Sequence, residues 1–421
     1  MPKLLIAFFL LYVTGLSAQN KPNIILIMAD DLGWGDVGYN GNQLIQTPHL
    51  DQMAKDGITF NRFYSASAVC SPTRASVLTG RNSYRTGVFT ANKGILRKEE
   101  LTIPELLKEE GYTSGHFGKW HLGTLTTAVK DANRGRPNNM KEYNPPSWHG
   151  YDEAFVTESK VPTYDPMKKP VDGASRLGWD YLKEGQAYKS YGTHYWDFDG
   201  NIVSNNLEGD DSRVIMDRVL PFIDKALEKE QPFCAVVWFH TPHLPCVAGP
   251  KYQALYKEQP KMIRNYAGCV TAMDEQIGRL RKYLLKHGIG GNTMIWFCSD
   301  NGPENNSTGT TGGFKARKRS LYEGGVRVPG LLVWPDKVKE GFAIDAPAVT
   351  SDYLPTIMDA LDIKSKKVPY ILDGESLMPT IEGKAQKGLR QSVFAYEICL
   401  VRQICAINST NVMGTMSCMI C

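Results

Sequence analysis

Cys70 begins the run Cys-Ser-Pro-Thr-Arg, with Pro72 two and Arg74 four residues on, and a helix-like stretch from Ala75 to Arg81 follows. A cysteine at such a position can act as a nucleophile, because a helix N-terminus favours negative charge. Alone, it reads as a small buried thiol. Other segments offer complementary groups. Asp30-Asp31 and Asp300-Asn301 form an all-oxygen set. Three carboxylates brought together repel strongly unless a cation sits among them. Oxygen-only ligation suits Ca²⁺ or Mg²⁺, whereas Zn²⁺ favours His or Cys partners. Taken singly, Asp30-Asp31 would cap a loop and Asp300-Asn301-Gly302 would be an ordinary turn. Gly118-Lys119-Trp-His121-Leu-Gly123 sets a cation and an imidazole two residues apart, which in extended backbone point the same way. His240-Thr-Pro-His243 adds two imidazoles, and Lys315 and Lys318 precede Leu321-Tyr-Glu-Gly-Gly325. His116, flanked by apolar residues, reads as a core histidine. Lys315, Arg317 and Arg319 read as solvated charges.

The elements that must position these groups alternate between strands and helices, which predicts an α/β fold with a largely parallel sheet. Asn23–Met28, Pro232–Phe239 and Thr293–Cys298 are continuous apolar runs, as expected of strands covered on both faces. Thr59 to Ala66 reads as a strand leading to Cys70. Helices are expected over Ile103–Glu110, over Tyr266–His287 and over Asp352–Leu361. Each buried strand is followed at once by the polar groups named above. In an open α/β sheet the C-terminal strand ends line one edge, where ligands bind, so these distant residues are expected to share one site. The stretch from Leu125 to Asp211 is irregular and rich in Trp and Tyr. It is either a surface excursion packed by its own aromatics or the wall of a substrate cleft.

With 48 basic and 44 acidic side chains, the net charge of +4 is too balanced to argue for nucleic acid. Lys3, an apolar run from Leu4 to Val13 and Leu16-Ser-Ala18 predict a signal peptide over residues 1–18 and a periplasmic or secreted protein. The apolar run is too short to span a bilayer, and no cysteine follows Ala18, so no membrane anchor is expected. Nine cysteines in an exported chain invite a disulfide framework, but Cys234 and Cys298 sit inside apolar strands and are expected to be reduced. Cys399, Cys405, Cys418 and Cys421 crowd a tail without clear periodicity.

Taken together, Asp30-Asp31-Leu-Gly, Cys70-x-Pro-x-Arg74, Gly-Lys119-Trp-His121-Leu-Gly, Pro-His243-x-Pro, Asp300-Asn301-Gly and Lys318-x-x-x-Tyr-Glu-Gly-Gly resemble the motifs of the formylglycine-dependent type I sulfatases, in the family's order. The resemblance implies an alkaline-phosphatase-like fold: a large mixed, mostly parallel sheet flanked by helices, with a smaller C-terminal α+β subdomain. The catalytic domain would cover residues 19–389. Residues 390–421 would be a remnant of the subdomain, since the sequence beyond Ile398 departs from the family's pattern. A truncation or a reading-frame error is the expectation there.

The resemblance also implies that a separate formylglycine-generating or sulfatase-maturing enzyme oxidises Cys70 to formylglycine. Ca²⁺ would be bound by Asp30, Asp31, Asp300, Asn301 and an oxygen of modified Cys70. Arg74 would hold the aldehyde hydrate, and Lys119 and Lys318 the sulfate oxygens. His243 would protonate the leaving alcohol, and His121 would take the proton from the second hydroxyl as sulfate departs. The implied substrate is a sulfated carbohydrate. A phosphatase or phosphodiesterase of the related fold would want a Thr or Ser nucleophile and a His cluster for two Zn²⁺. A third reading is a sulfated-glycan binder whose Cys70 stays unmodified.

Overall fold

The computed structural model describes residues 21–384, 391–398, 401–408 and 416–420. The expected leader over residues 1–18, and Cys399 and Cys421, lie outside the described residues. Among these, a ten-stranded sheet forms the core. Its strands are β1 (Asn23–Ala29), β2 (Ile58–Phe60), β3 (Thr113–Lys119), β4 (Glu153–Thr157), β5 (Tyr195–Asp197), β6 (Ile202–Val203), β7 (Phe233–Trp238), β8 (Thr293–Ser299), β9 (Gly330–Val333) and β10 (Phe342–Ile344). They lie in the order β6-β5-β4-β3-β7-β1-β8-β9-β2-β10. The central run from β4 to β8 is parallel, and antiparallel pairs flank it at β5 and β9. The fold is thus α/β with a mixed, mostly parallel sheet.

Side-chain alternation explains why β1, β7 and β8 read as unbroken apolar runs. Ile24, Leu26 and Met28 join one core with Leu78, Leu107 and Ile357, whereas Ile25 and Ile27 join another with Met53, Val219, Val270 and Ile277. The longer helices cover both faces: α2 (Cys70–Thr79), α3 (Ile103–Glu109) and α6 (Tyr353–Ala360) on the first, α1 (Pro48–Asp56), α4 (Asp211–Glu228) and α5 (Lys261–Lys286) on the second. A strand covered on both faces has no polar alternation to show. Helix α3 starts where the sequence indicates: Thr102 accepts from the Glu105 amide, and the Glu105 carboxylate accepts from the Thr102 amide. Helix α5 starts at Lys261, five residues before the expected Tyr266, with a first turn that is exposed or half-buried.

One expectation changes here. Thr59 to Ala66 is not one strand. β2 ends at Phe60, and Phe63–Tyr64 pairs instead with Ala348–Val349, the chain turning at Asn61-Arg62. Cys70 nevertheless opens α2, all ten residues of which are buried. The stretch from Leu125 to Asp211 supplies β4, β5 and β6, and its Tyr151, Phe155, Trp179, Tyr195 and Trp196 are buried. Tyr195 stacks on Phe155 at 4.1 Å, and Trp196 donates to Asp131. Beyond residue 390, Gln391–Ile398, Val401–Asn408 and Met416–Ile420 form a three-stranded antiparallel sheet. Among the described residues no helix is long and apolar enough to cross a membrane.

His116 lies edge-on to Trp120, Tyr151 and Trp238, as a core histidine should. Burial pushes its pKa down to about 3. Between the unfolded value of about 6.5 and 3, only the unfolded chain takes up this proton, so stability falls as pH falls through that window. The contribution approaches about 1.4 kcal/mol per pH unit. A His116→Phe variant is expected to show a smaller loss of melting temperature between neutral and acid pH than the parent. Parallel melting curves across pH for both proteins would contradict this.

Candidate active site

The parallel register brings the chemistry to one edge. Ala29 of β1 lies opposite Ser299 of β8, Met28 opposite Trp238 of β7, and Trp238 opposite Gly118 of β3. The residues that follow these strands therefore meet: Asp30 and Asp31, Asp300 and Asn301, the loop with His240 and His243, and Lys119 with His121. Asp31 and His121 adopt left-handed backbone (φ 66° and 57°), a conformation Asp and His reach more readily than most residues. The backbone is extended only as far as Lys119, where β3 ends, and His121 lies in a buried turn beyond it. Both side chains still reach the site, because the turn at His121 redirects the ring.

Each carboxylate has a cationic partner. Lys119 donates to Asp30 at 2.7 Å, Lys318 to Asp31 at 2.5 Å, and Arg74 to Asp300 at 2.6 Å. Arg74 also donates to the Lys119 carbonyl and lies over the Trp238 ring. Asn301 donates to Asp31 at 2.6 Å, and the Asp31 amide donates to Asp300. Burial works against every charge here. The neighbours win for Asp31, held well below the usual carboxylate range by Lys318 and His243, and for Lys318, held above its ordinary value by Asp31. Asp300 is pushed up, first by burial and then by the Asp30 carboxylate, despite its bond to Arg74.

That residual repulsion bears on whether a cation fits. Asp30 Oδ1, Asp31 Oδ2 and Asn301 Oδ1 are buried oxygens with no hydrogen bond. Buried polar atoms are otherwise almost always paired, so three orphaned oxygens in one place match a cation's donor set. Ligand atoms of Asp30, Cys70 and Asp300 lie within 4.8 Å of one another, as do those of Asp30, Asp31 and His243. The five expected ligands are thus gathered in one place, and His243 is a neighbour that sequence reasoning did not count among them.

Above this floor lies a cavity of about 460 Å³ lined by Cys70, His121, His243 and Lys318. His243 donates through Nδ1 to the Leu244 carbonyl, 2.7 Å away, and its Nε2 lies 3.6 Å from Asp31. His240 stays outside the cavity, buried between Asp211 (2.8 Å) and Thr157 (2.7 Å). Asp211 also accepts from Tyr195, so this is a supporting network. His240→Ala is expected to cost on the order of 3 kcal/mol of stability, because it leaves a buried carboxylate short of a partner. His243→Ala should leave the melting temperature in place and lower turnover by roughly 10²–10⁴-fold. Melting and turnover of both variants check this; equal destabilisation by the two would contradict it.

Five further lining residues carried no sequence signal. Asn92, Asn133, Ser159, Lys160 and Arg176 come from loops, as does the Glu304–Arg319 pair at 2.5 Å. The Leu125–Asp211 stretch thus walls the cavity with polar groups while its aromatics pack elsewhere. Arg317 is not a solvated charge, since it clamps the carbonyls of Glu304, Ser307 and Gly309, whereas Arg319 is exposed as expected although paired with Glu304. Lys315 sits over the Tyr322 ring.

The family model described as Sulfatase matches residues 22–363. The chain belongs to the sulfatase family. Members of the family are sulfuric ester hydrolases. Mouse N-acetylgalactosamine-6-sulfatase is 31% identical over 403 residues, covering 90% of this chain and 70% of its own. The human N-acetylgalactosamine-6-sulfatase is 31% identical over 86% of this chain and 66% of its own. Among solved structures, Ps i-CgsB in complex with k-i-k-neocarrahexaose is 28% identical, with a TM-score of 0.76 over 95% of this chain and 86% of its own. A phosphonate monoester hydrolase of Agrobacterium radiobacter shares the fold at a TM-score of 0.65 and 18% identity. The sulfatase motifs from Asp30 to Gly325 all fall within the matched span.

Proposed function

We propose that this sulfatase is exported and removes sulfate from a sulfated carbohydrate, with Cys70 matured to formylglycine and Ca²⁺ held by Asp30, Asp31, Asp300, Asn301 and residue 70. The observation that carries this reading is the gathering of three buried carboxylates, Arg74, two lysines and two imidazoles around the N-terminus of α2. The export signal rests on residues 1–18. The sugar reading is supported by relatives whose names specify N-acetylgalactosamine-6-sulfate and by a structure solved with a neocarrahexaose.

Ca²⁺ would neutralise the carboxylates and draw charge from a sulfate oxygen, and the aldehyde hydrate would supply the attacking hydroxyl and a second one for release. The chain's own side chains do the rest. Lys119 and Lys318 hold sulfate oxygens and stabilise the charge that builds on them. Arg74, fixed by Asp300 and Trp238, orients residue 70. His243 directs Nε2 at the cavity while Nδ1 bonds Leu244, so its protonated ring can donate to the departing alcohol oxygen. Burial pushes His243 well below its ordinary pKa, against the pull of Asp31; an arriving anionic sulfate ester favours the imidazolium. Burial, then Lys119 and Arg134, keep His121 neutral. Its Nε2 meets Asn92 Oδ1 at 3.3 Å, which assigns the proton there and leaves Nδ1 as the basic atom. His121 is therefore suited to accept the proton at residue 70 when sulfate leaves.

Sulfate release from an aryl sulfate and from sulfated oligosaccharides, by protein produced with a maturing enzyme, tests the reading. An aryl phosphate serves as comparison. Turnover of sulfate esters is expected; phosphate turnover without sulfate turnover would overturn it.

A further inference from the structure

Four cations at the cavity or its floor have carboxylate partners: Arg74, Lys119, Lys318 and Arg319. Lys160 and Arg176 line the same cavity and have no hydrogen bond or ion pair among the described residues. Glu304, the acid in the wall, is engaged through both oxygens by Arg319. Neither cation stands on loose chain. The Ser159 carbonyl, next to Lys160, accepts from Thr157 at 2.6 Å, and the Ser159 hydroxyl accepts from Asn133 at 2.9 Å. Ser175 ties the turn around Arg176 by bonding Leu177 and Gly178, and the Cys246 amide donates to the Leu177 carbonyl. The turn that carries Arg176 is therefore fixed to the segment three residues past His243. Lys160 is partly buried, and burial together with Lys119 and Lys318 pushes its ammonium below its ordinary value.

Two cations with no carboxylate in bonding distance among the described residues, Lys160 half-buried and Arg176 exposed on the cavity wall, are matched by an anion. The reacting sulfate ester carries a single negative charge and already faces Lys119 and Lys318 under the reading above. We propose that Lys160 and Arg176 form a second anion site, which recognises a further negative group on the same glycan, either a second sulfate or a uronic carboxylate. This rests on the sulfatase reading and names its substrate class: doubly anionic sulfated sugars in preference to singly sulfated neutral ones.

The test compares kcat/KM for a monosulfated neutral disaccharide, a disulfated disaccharide and a monosulfated disaccharide with a uronic acid. The parent, Lys160→Met, Arg176→Gln, the double variant and Lys160→Arg are each measured. The parent is expected to favour a doubly anionic substrate. The double variant should reduce that preference by about 10–100-fold, as loss of charge-assisted hydrogen bonds does. Lys160→Arg should retain most of it. The arm that loses preference, sulfate or carboxylate, identifies the group read. An unchanged preference ratio, or an equal loss on all three substrates, overturns the second site. Calorimetric binding of the same disaccharides to Cys70→Ala protein, with and without the double substitution, reads the site without turnover. Failure of the parent to hydrolyse any sulfate ester, with the binding preference intact, would strike the catalytic reading alone. Thermal melting of each variant confirms that the fold persists.

Discussion

Replacing Cys70 by alanine is expected to lower sulfate-ester hydrolysis by on the order of 10⁴-fold or more while leaving the melting temperature nearly unchanged. Cys70 is the first residue of α2 and its side chain lies beside Asp30 and Asp300, beneath the cavity. Alanine keeps the helix and removes only the atom at the centre of the converging charges. Every other group would remain, but with nothing to direct at sulfur. Cys70→Ser makes a finer test. A serine hydroxyl can attack once, yet it lacks the second hydroxyl needed for release, so a burst of at most one equivalent of alcohol is expected, followed by arrest. Sustained turnover by either variant, measured as released sulfate, would remove residue 70 from the chemistry.

Stripping divalent cations is expected to lower stability and activity together. The floor of the site holds three buried carboxylates, three orphaned oxygens and an Asp300 that burial and Asp30 push upward. Without a cation, Lys119, Lys318 and Arg74 carry the whole counter-charge, each engaged with a carboxylate. A cation that binds only the folded chain stabilises it by about 2.7 kcal/mol at a hundredfold excess over its Kd. Ca²⁺ should raise the melting temperature more than Mg²⁺, because a crowded, irregular oxygen set suits the larger and more tolerant ion. Asp31→Asn should blunt that response and lower turnover by roughly 10²–10³-fold, in the range seen when one electrostatic stabiliser is lost. Melting curves over a Ca²⁺ titration check this. A flat response in the parent protein would contradict the metal assignment.

Much of this site was legible because strand ends force convergence. Asp30, His243 and Asp300 each follow an apolar run, and parallel strands place such residues on one edge whatever their distance in sequence. Cys70 and Arg74 were legible from spacing on one helix. The walls were not. Lys160, Arg176 and Asn133 sit on irregular chain, where neither periodicity nor local composition reports which way a side chain faces. The aromatic content of the Leu125–Asp211 stretch left two readings open, and the structure holds part of each. Tyr195 and Trp196 signal packing against β4 and Asp131, and only the fold shows that Asn133, Ser159, Lys160 and Arg176 of the same stretch line the cavity. His121 was placed by its motif, but its left-handed backbone had no sequence mark. The break at Asn61-Arg62 was hidden because Thr59 to Ala66 alternates well enough to imitate one strand.

Mass spectrometry of the tryptic peptide Phe63–Arg74, from protein that hydrolyses a sulfate ester, tests the central claim most directly. The account predicts an aldehyde at residue 70 in place of the thiol-bearing carbon, with turnover proportional to the converted fraction across preparations. An intact Cys70 thiol in a preparation of full activity would contradict it.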